Sequence, residues 1–231
     1  MTTDTAEPPA WLRRLVDRAA GPEAAAFPRI AGKPPADVRR AAVLVLFGEG
    51  RDGPDVLLIE KGPHLRTHAG QPAFPGGGLE AGEDPEDAAL REAAEETGLD
   101  PDGVTVLACL PELWVPPSGN AVTPVLAWWR EPCEVGIADP REVAAVARVP
   151  VAVLTDPDNR LMIRSPRSGY SSPAFRAAGM LVWGFTGAVL DRLLDLGGWA
   201  RPWPRDRVED LPSTLPAMRA TDVDSPFAEG A

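Results

Sequence analysis

Three glutamates on a single short helix signal, Glu92, Glu95 and Glu96, are the residues of this chain best placed to do chemistry. At 100° per residue they fall within one arc of a helix. Like charges at i, i+3 and i+4 repel by a few tenths of a kcal/mol per pair. A divalent cation offsets that repulsion, and hard cations such as Mg²⁺ take carboxylate oxygens. Arg91 can offset part of it by reaching Glu83 or Glu95. The plain alternative is a solvated acidic face.

The surrounding residues define the helix. Asp84 reads as N-cap, Pro85 as N1, and Glu86 and Asp87 as first-turn acids. Gly98 reads as the C′ residue that ends it. Leu90, Ala93, Ala94 and Thr97 point away from the glutamates and are expected to face a sheet. A Gly76-Gly77-Gly78 run precedes the helix, where backbone can approach a substrate closely.

Read in order, Gly77, Glu83, Arg91-Glu92, Glu95-Glu96, Gly98 and Leu99 have the spacing GX5EX7REUXEEXGU. This resembles the Nudix box, with Ala93 the one departure, at the aliphatic position. Chance agreement at seven specified positions has a probability on the order of 10⁻⁶ over this length. The segment just before the box is similar to the coenzyme A pyrophosphatase branch of that family, LLTXR(S/A)X3RX3GX3FPGG. Here it reads Leu57-Leu58-Ile59-Glu60-Lys61-Gly62, Arg66, Gly70 and Phe74-Pro75-Gly76-Gly77. Ile59, Lys61 and Gly62 depart from it. Lys61 keeps the charge without the bidentate fork of arginine.

The resemblance implies an α/β Nudix fold, a mixed β-sheet sandwiched between helices. It implies Mg²⁺ or Mn²⁺ held by Glu92, Glu95, Glu96 and a Gly76 or Gly77 carbonyl, with Glu95 and Glu96 as the core pair. Arg91 with Glu83 would be the orienting ion pair. One box glutamate, or Glu142 on a later loop, would activate water; a surface acid is the equal alternative for Glu142. Lys61, Arg66, His68, Gly70 and Phe74 would meet the substrate. That substrate would be coenzyme A or an acyl derivative, cut at its diphosphate to phosphopantetheine (or its acyl form) and adenosine 3′,5′-bisphosphate. Other readings are hydrolysis of another nucleoside diphosphate compound (ADP-ribose, NADH, a dinucleotide) and a non-catalytic nucleotide-binding regulator. No GxxxxGK(S/T) is present, which excludes a P-loop.

Composition agrees with a soluble globular protein: 231 residues, 44% hydrophobic and 25% charged. A net charge of −11 argues against nucleic-acid or membrane-surface partners. Lys61, His64, Arg66 and His68 form a local basic patch for an anionic substrate. His64 and His68, four apart, are expected to serve loop hydrogen bonds or phosphate contact rather than metal ligation, since Pro and Gly flank them. Cys109 reads as a buried small hydrophobe. Two cysteines and an acidic start without an apolar core predict a reducing cytoplasmic setting without disulfides. A homodimer is left open.

Three regions are expected. Residues 1–37 form an extension with an amphipathic helix at 10–20, whose apolar face is Trp11, Leu12, Leu15 and Val16. Residues 38–200 form the catalytic domain, and residues 201–231 a proline-rich flexible tail. Within the domain, Ala41–Phe47 and Val56–Ile59 read as a central hairpin around a GEGRDGPD turn. Val104–Leu113 and Ala121–Trp129 read as further strands, with a short helix after Pro150. Residues 160–182 read as strand or loop, and Val182–Leu196 as a terminal helix.

Overall fold

A computed structural model of the chain describes residues 7–23, 34–65, 68–116, 118–166, 169 and 171–212. The first half comprises α1 (Ala10–Ala20), β1 (Arg39–Gly50), β2 (Gly53–Lys61), β3 (Pro72–Ala73), β4 (Gly76–Gly78) and α2 (Pro85–Thr97). Then come β5 (Val104–Cys109), β6 (Leu113–Val115), β7 (Asn120–Trp129), β8 (Val143–Pro150) and α3 (Val151–Thr155). The remainder is β9 (Arg160–Arg164), β10 (Ser171–Ala177), β11 (Met180–Val182), α4 (Gly184–Leu196) and β12 (Val208–Asp210).

The main sheet runs β3-β2-β1-β7-β5, with β4 on β1, β6 on β7 and β8 on β2. The β1–β7 pair is parallel and the others are antiparallel, so the sheet is mixed. Period-two alternation divides its apolar strands between two cores. Ala42, Leu44, Leu46, Leu57, Val125, Ala127 and Trp129 face α2. Val45, Phe47, Val56, Leu58, Leu126 and Trp128 face the other way, into a core shared with α1, α3 and α4. Burial on both faces is why these strands read as continuous apolar runs. The expected α/β/α sandwich is the observed one.

The central hairpin is tighter than the sequence predicts. Gly50 pairs with Gly53, and only Arg51 and Asp52 turn. The glycines beside the turn leave room for Asp55, which lies against both Gly48 and Gly50. A second sheet, β11-β10-β9-β12, follows. Its last strand lies beyond the expected domain end, since β12 pairs in parallel with β9. Residues 213–231 lie outside the described residues.

On α1, Leu12 and Leu15 are buried as the periodicity predicts, and Ala19 is buried beside them; Val16 is half-buried, as is Trp11, which packs with Phe47 and Trp199. Cys109 departs from expectation: it is exposed at the end of β5, with Sγ 3.5 Å from Glu86 Oε1. Both cysteines are free. No helix among the described residues is long and apolar enough to cross a membrane.

Candidate active site

Local chemistry fixes the box helix. Asp84 Oδ1 accepts from the Glu86 and Asp87 amides at 3.0 Å each, and Pro85 occupies the first turn. Gly98, at φ 70°, closes the helix by donating to the Ala94 carbonyl. These caps set which side chains reach the sheet. The face that goes down is Ala88, Ala89, Ala93, Glu96 and Thr97, while Leu90 and Ala94 are only half-buried. The glutamate arc therefore adjoins the packing face rather than opposing it. Alanine is small enough to let a carboxylate beside it be drawn under the helix.

Two glycines make that descent possible. Gly76 has φ 154°, a region essentially reserved for glycine, and a Cβ there would overlap the Ala42 carbonyl and Val43 Cα of β1. A Cβ on Gly77 would overlap the Glu92 carboxylate. Glu92 thus lies directly against the Gly77 backbone.

Glu96 is 1% exposed. Its Oε2 accepts from the Gly76 amide at 2.9 Å and its Oε1 from Lys61 Nζ at 2.5 Å. Lys61 Nζ also donates to the Gly76 carbonyl at 3.3 Å. Lys61 ends β2, on the same face as Leu57, where the β2–β8 pairing shifts register between Glu60 and Lys61. Bulges commonly re-aim a side chain beside a site. Burial pushes the Glu96 carboxyl up from its usual range, opposed by the Lys61 ammonium and the Gly76 amide; the charge of nearby Glu92 adds to the rise.

Arg91 organises the outer side. Its Nε and Nη2 donate to Glu83 Oε1 and Oε2 at 2.8 and 3.0 Å, and Nη2 also reaches the Gly78 carbonyl at 3.1 Å. Nη1 donates to Glu92 at 3.0 Å and to Glu95 at 3.5 Å. The Arg91 hydrogen bonds, with help from the Glu80 amide, hold the Glu83 carboxyl down to about 2. One guanidinium therefore joins the glycine loop, the Glu83 loop and two helix carboxylates.

The other expected residues divide. Glu95 points outward, its side chain 61% exposed. Glu142 is exposed, but its carbonyl accepts from the Gly62 amide at 2.7 Å, which sets its loop beside Lys61. His64 bonds the Arg141 carbonyl and His68 bonds Gln71, the loop roles expected of them. Gly70 donates to the Lys61 carbonyl, and so shapes the β2–β3 loop. Arg66 lies outside the described residues. Phe74 is a correction: at 1% exposure it belongs to the core shared with α4 rather than to an open surface. An aromatic beside Pro75 and Gly76 anchors the glycine loop from beneath.

Among the described residues, no three His, Cys, Asp or Glu side chains stand together as a metal set. Glu95 turns to solvent beside Arg91. The donor chemistry still suits a hard cation. Glu96 and the Gly76 carbonyl already converge on one positive atom, Lys61 Nζ, and Glu92 stands next to them on Gly77.

The NUDIX domain family model matches residues 37–168, more than half of the chain. The chain belongs to the Nudix family. Named relatives agree. Nudix hydrolase 3 of Caenorhabditis elegans is 29% identical over 165 residues, covering 64% of this chain and 68% of the relative. The uncharacterized Nudix hydrolase NudL of Salmonella paratyphi B is 35% identical over 166 residues, covering 67% and 81%. Nudix hydrolase 15, mitochondrial, of Arabidopsis thaliana is 34% identical, and the match covers 57% of that protein. Among solved structures, the Nudix hydrolase RenU of M. smegmatis aligns at 23% identity with a TM-score of 0.46, covering 72% of this chain and 90% of that one. This Nudix protein is therefore an enzyme, a hydrolase of diphosphate linkages.

Some polar groups escape a sequence reading of the Nudix domain. Buried Asp55 on β2 and half-buried Arg148 on β8 form an ion pair at 2.8 Å, with the Arg148 guanidinium 4.6 Å from the Trp129 ring centre. Burial raises the Asp55 carboxyl, against the pull of Arg148. The available signal was a charge inside each of two apolar strand runs, GPDVLLI and VAAVARVP. Arg160, buried against Asp191, Phe175 and Trp203, is a second such group.

Proposed function

We propose that this Nudix hydrolase cleaves the diphosphate of coenzyme A or an acyl derivative, giving (acyl-)phosphopantetheine and adenosine 3′,5′-bisphosphate. The supporting observation is the meeting of Lys61, from the motif that precedes the box, with Gly76 and Glu96 of the box itself. The two motifs meet through this contact.

Glu92, Glu96, Glu95 and the carbonyl of Gly76 or Gly77 would hold Mg²⁺ or Mn²⁺. The bound ion would neutralise the phosphoryl oxygens that shield phosphorus. The remaining work falls to side chains. Arg91 fixes the glycine loop and Glu92 relative to each other. A water oriented by Glu142 or by a box glutamate loses its proton to that carboxylate and attacks phosphorus in line. The bridging P–O bond breaks, leaving two phosphomonoesters. Arg66, His68 and Gly70, between β2 and β3 in the sequence, would face the anionic substrate. The reading includes a reducing cytoplasmic setting.

The test is product identification by mass spectrometry after incubation with coenzyme A, acetyl-CoA, ADP-ribose, NADH, a dinucleoside polyphosphate and nucleoside triphosphates, each with Mg²⁺. Adenosine 3′,5′-bisphosphate from coenzyme A in preference to turnover of the rest supports the reading. One observation favours hydrolysis of another nucleoside diphosphate instead. Lys61 replaces the motif's arginine and is committed to Glu96, so it offers no fork to a phosphate. Preferential turnover of ADP-ribose or a dinucleotide would establish that second reading. Binding without turnover across the panel would mark a regulator.

A further inference from the structure

Lys61 is an unusual choice of residue. Of the 23 basic residues in the chain only two are lysine, Lys33 and Lys61; the others are arginine. Arginine is a planar fork, whereas lysine ends in a compact point charge. At residue 61 that point charge is set between a carboxylate oxygen of Glu96 and the carbonyl oxygen of Gly76, at 2.5 and 3.3 Å. A carboxylate and a backbone carbonyl converging on one positive centre is also the arrangement that a hard divalent ion uses. The pair is largely withdrawn from water, with side chains 18% and 2% exposed, so the two charges attract each other more strongly than at the surface.

We propose that Lys61 is a resident counter-ion of the cation pocket: its ammonium and the divalent ion contend for the same Glu96 and Gly76 oxygens, and entry of the ion turns the ammonium out into the cleft. The inference rests on the metal-dependent reading given above. Two consequences follow. The ammonium keeps Glu96 drawn down onto the Gly76 loop, so the pocket is preformed. It also sets a threshold for ion binding, and ion entry frees a cation on the rim where an anionic diphosphate arrives. An arginine resembles an ion less closely, because its charge is spread over a planar fork rather than held at one compact centre.

The test uses the full-length chain, stripped of divalent ions with a chelator and then titrated with Mn²⁺. Calorimetry gives the affinity. Acetylation of lysine amines, read by peptide mass spectrometry, compares Lys61 with Lys33 as the internal reference. Labelling of Lys61 relative to Lys33 should rise several-fold at saturating Mn²⁺. Lys61→Met should bind Mn²⁺ about tenfold more tightly than the parent. Mn²⁺ binding with unchanged Lys61 labelling overturns the proposal, as does equal or weaker binding by Lys61→Met. A parent chain that binds no Mn²⁺, or whose binding survives Glu92→Gln and Glu96→Gln together, overturns the metal reading itself and the proposal with it.

Discussion

Arg91 grips Glu83 through two parallel N–H···O bonds of 2.8 and 3.0 Å. The bidentate form fixes orientation as well as distance. Because the same guanidinium touches the Gly78 carbonyl and Glu92, the pair is a brace across the site. Arg91→Lys keeps the charge and loses the fork. Turnover should fall by about 10-fold or more through misplacement of Glu92, while thermal stability changes little. Steady-state kinetics beside a melting curve distinguish the two effects.

The same brace predicts a pH response. Glu83 sits at about 2 in the folded chain, against an ordinary carboxyl near 4.5. Its folded pKa is depressed, so its contribution to stability is fully present above the unfolded value. That contribution is lost as pH falls from about 4.5 through about 2. NMR titration of the Glu83 carboxyl should give a midpoint near 2. In Arg91→Ala the midpoint should move up toward the ordinary value.

The glutamates should separate into those that hold the fold and those that do not. Glu96→Ala leaves the Lys61 ammonium and the Gly76 amide without their partner in a largely dry place. It should cost roughly 2–4 kcal/mol of stability as well as activity. Glu95 is outside, so Glu95→Gln should leave urea unfolding within about 0.5 kcal/mol of the parent. Turnover by Glu95→Gln should nonetheless fall by orders of magnitude. A Glu95→Gln variant with unaltered turnover would remove Glu95 from the reaction.

The adjacent glycines should also behave differently. Gly76→Ala drives a methyl group into β1 and strains the φ of 154°, so it should cost roughly 3 kcal/mol or more, seen by denaturant unfolding. Gly77→Ala first meets the Glu92 carboxylate, the end of a flexible side chain that can swing aside. It should fold with near-parental stability and lose most of its turnover.

What the sequence made legible was local. Asp84, Pro85 and Gly98 announce the helix because caps act within four residues. The apolar runs at Ala41–Phe47 and Ala121–Trp129 announce strands buried on both faces. The Lys61–Glu96 contact is not legible in the sequence: it joins residues 35 apart, from the end of β2 to a helix that packs chiefly on β1 and β4. The helix face differs from the sequence reading of Leu90, Ala93, Ala94 and Thr97: Ala88, Ala89 and Glu96 go down with Ala93 and Thr97, while Leu90 and Ala94 stay half-buried. Phe74 was misread because motif spacing says that a position is specified, not whether it meets a substrate or a core. β12 was missed because its three residues carry no alternation of their own; pairing with β9 makes the strand.

The C-terminal segment provides the last test. Arg160, 1% exposed, pairs with Asp191 on α4 and lies between two rings, 4.8 Å from the centre of Phe175 and 4.4 Å from that of Trp203. Trp203 thus covers a charge that would otherwise meet water on one side only. Beyond it, the Arg207 carbonyl accepts from the Met162 amide and the Leu211 amide donates to Arg164, which closes the second sheet. Trp203→Ala should lower stability by about 1–3 kcal/mol through loss of ring burial and the cation–π contact. Asp191→Ala should cost more, about 3–5 kcal/mol, because it leaves the buried guanidinium without its counter-charge. Pairing it with Arg160→Met should recover much of that loss, since removing both charges removes the unmet demand. Turnover per folded molecule should stay at the parental level in all three, because none of these residues touches Lys61, Arg91 or the box glutamates. Urea unfolding of the four chains, with kinetics on each, checks the set.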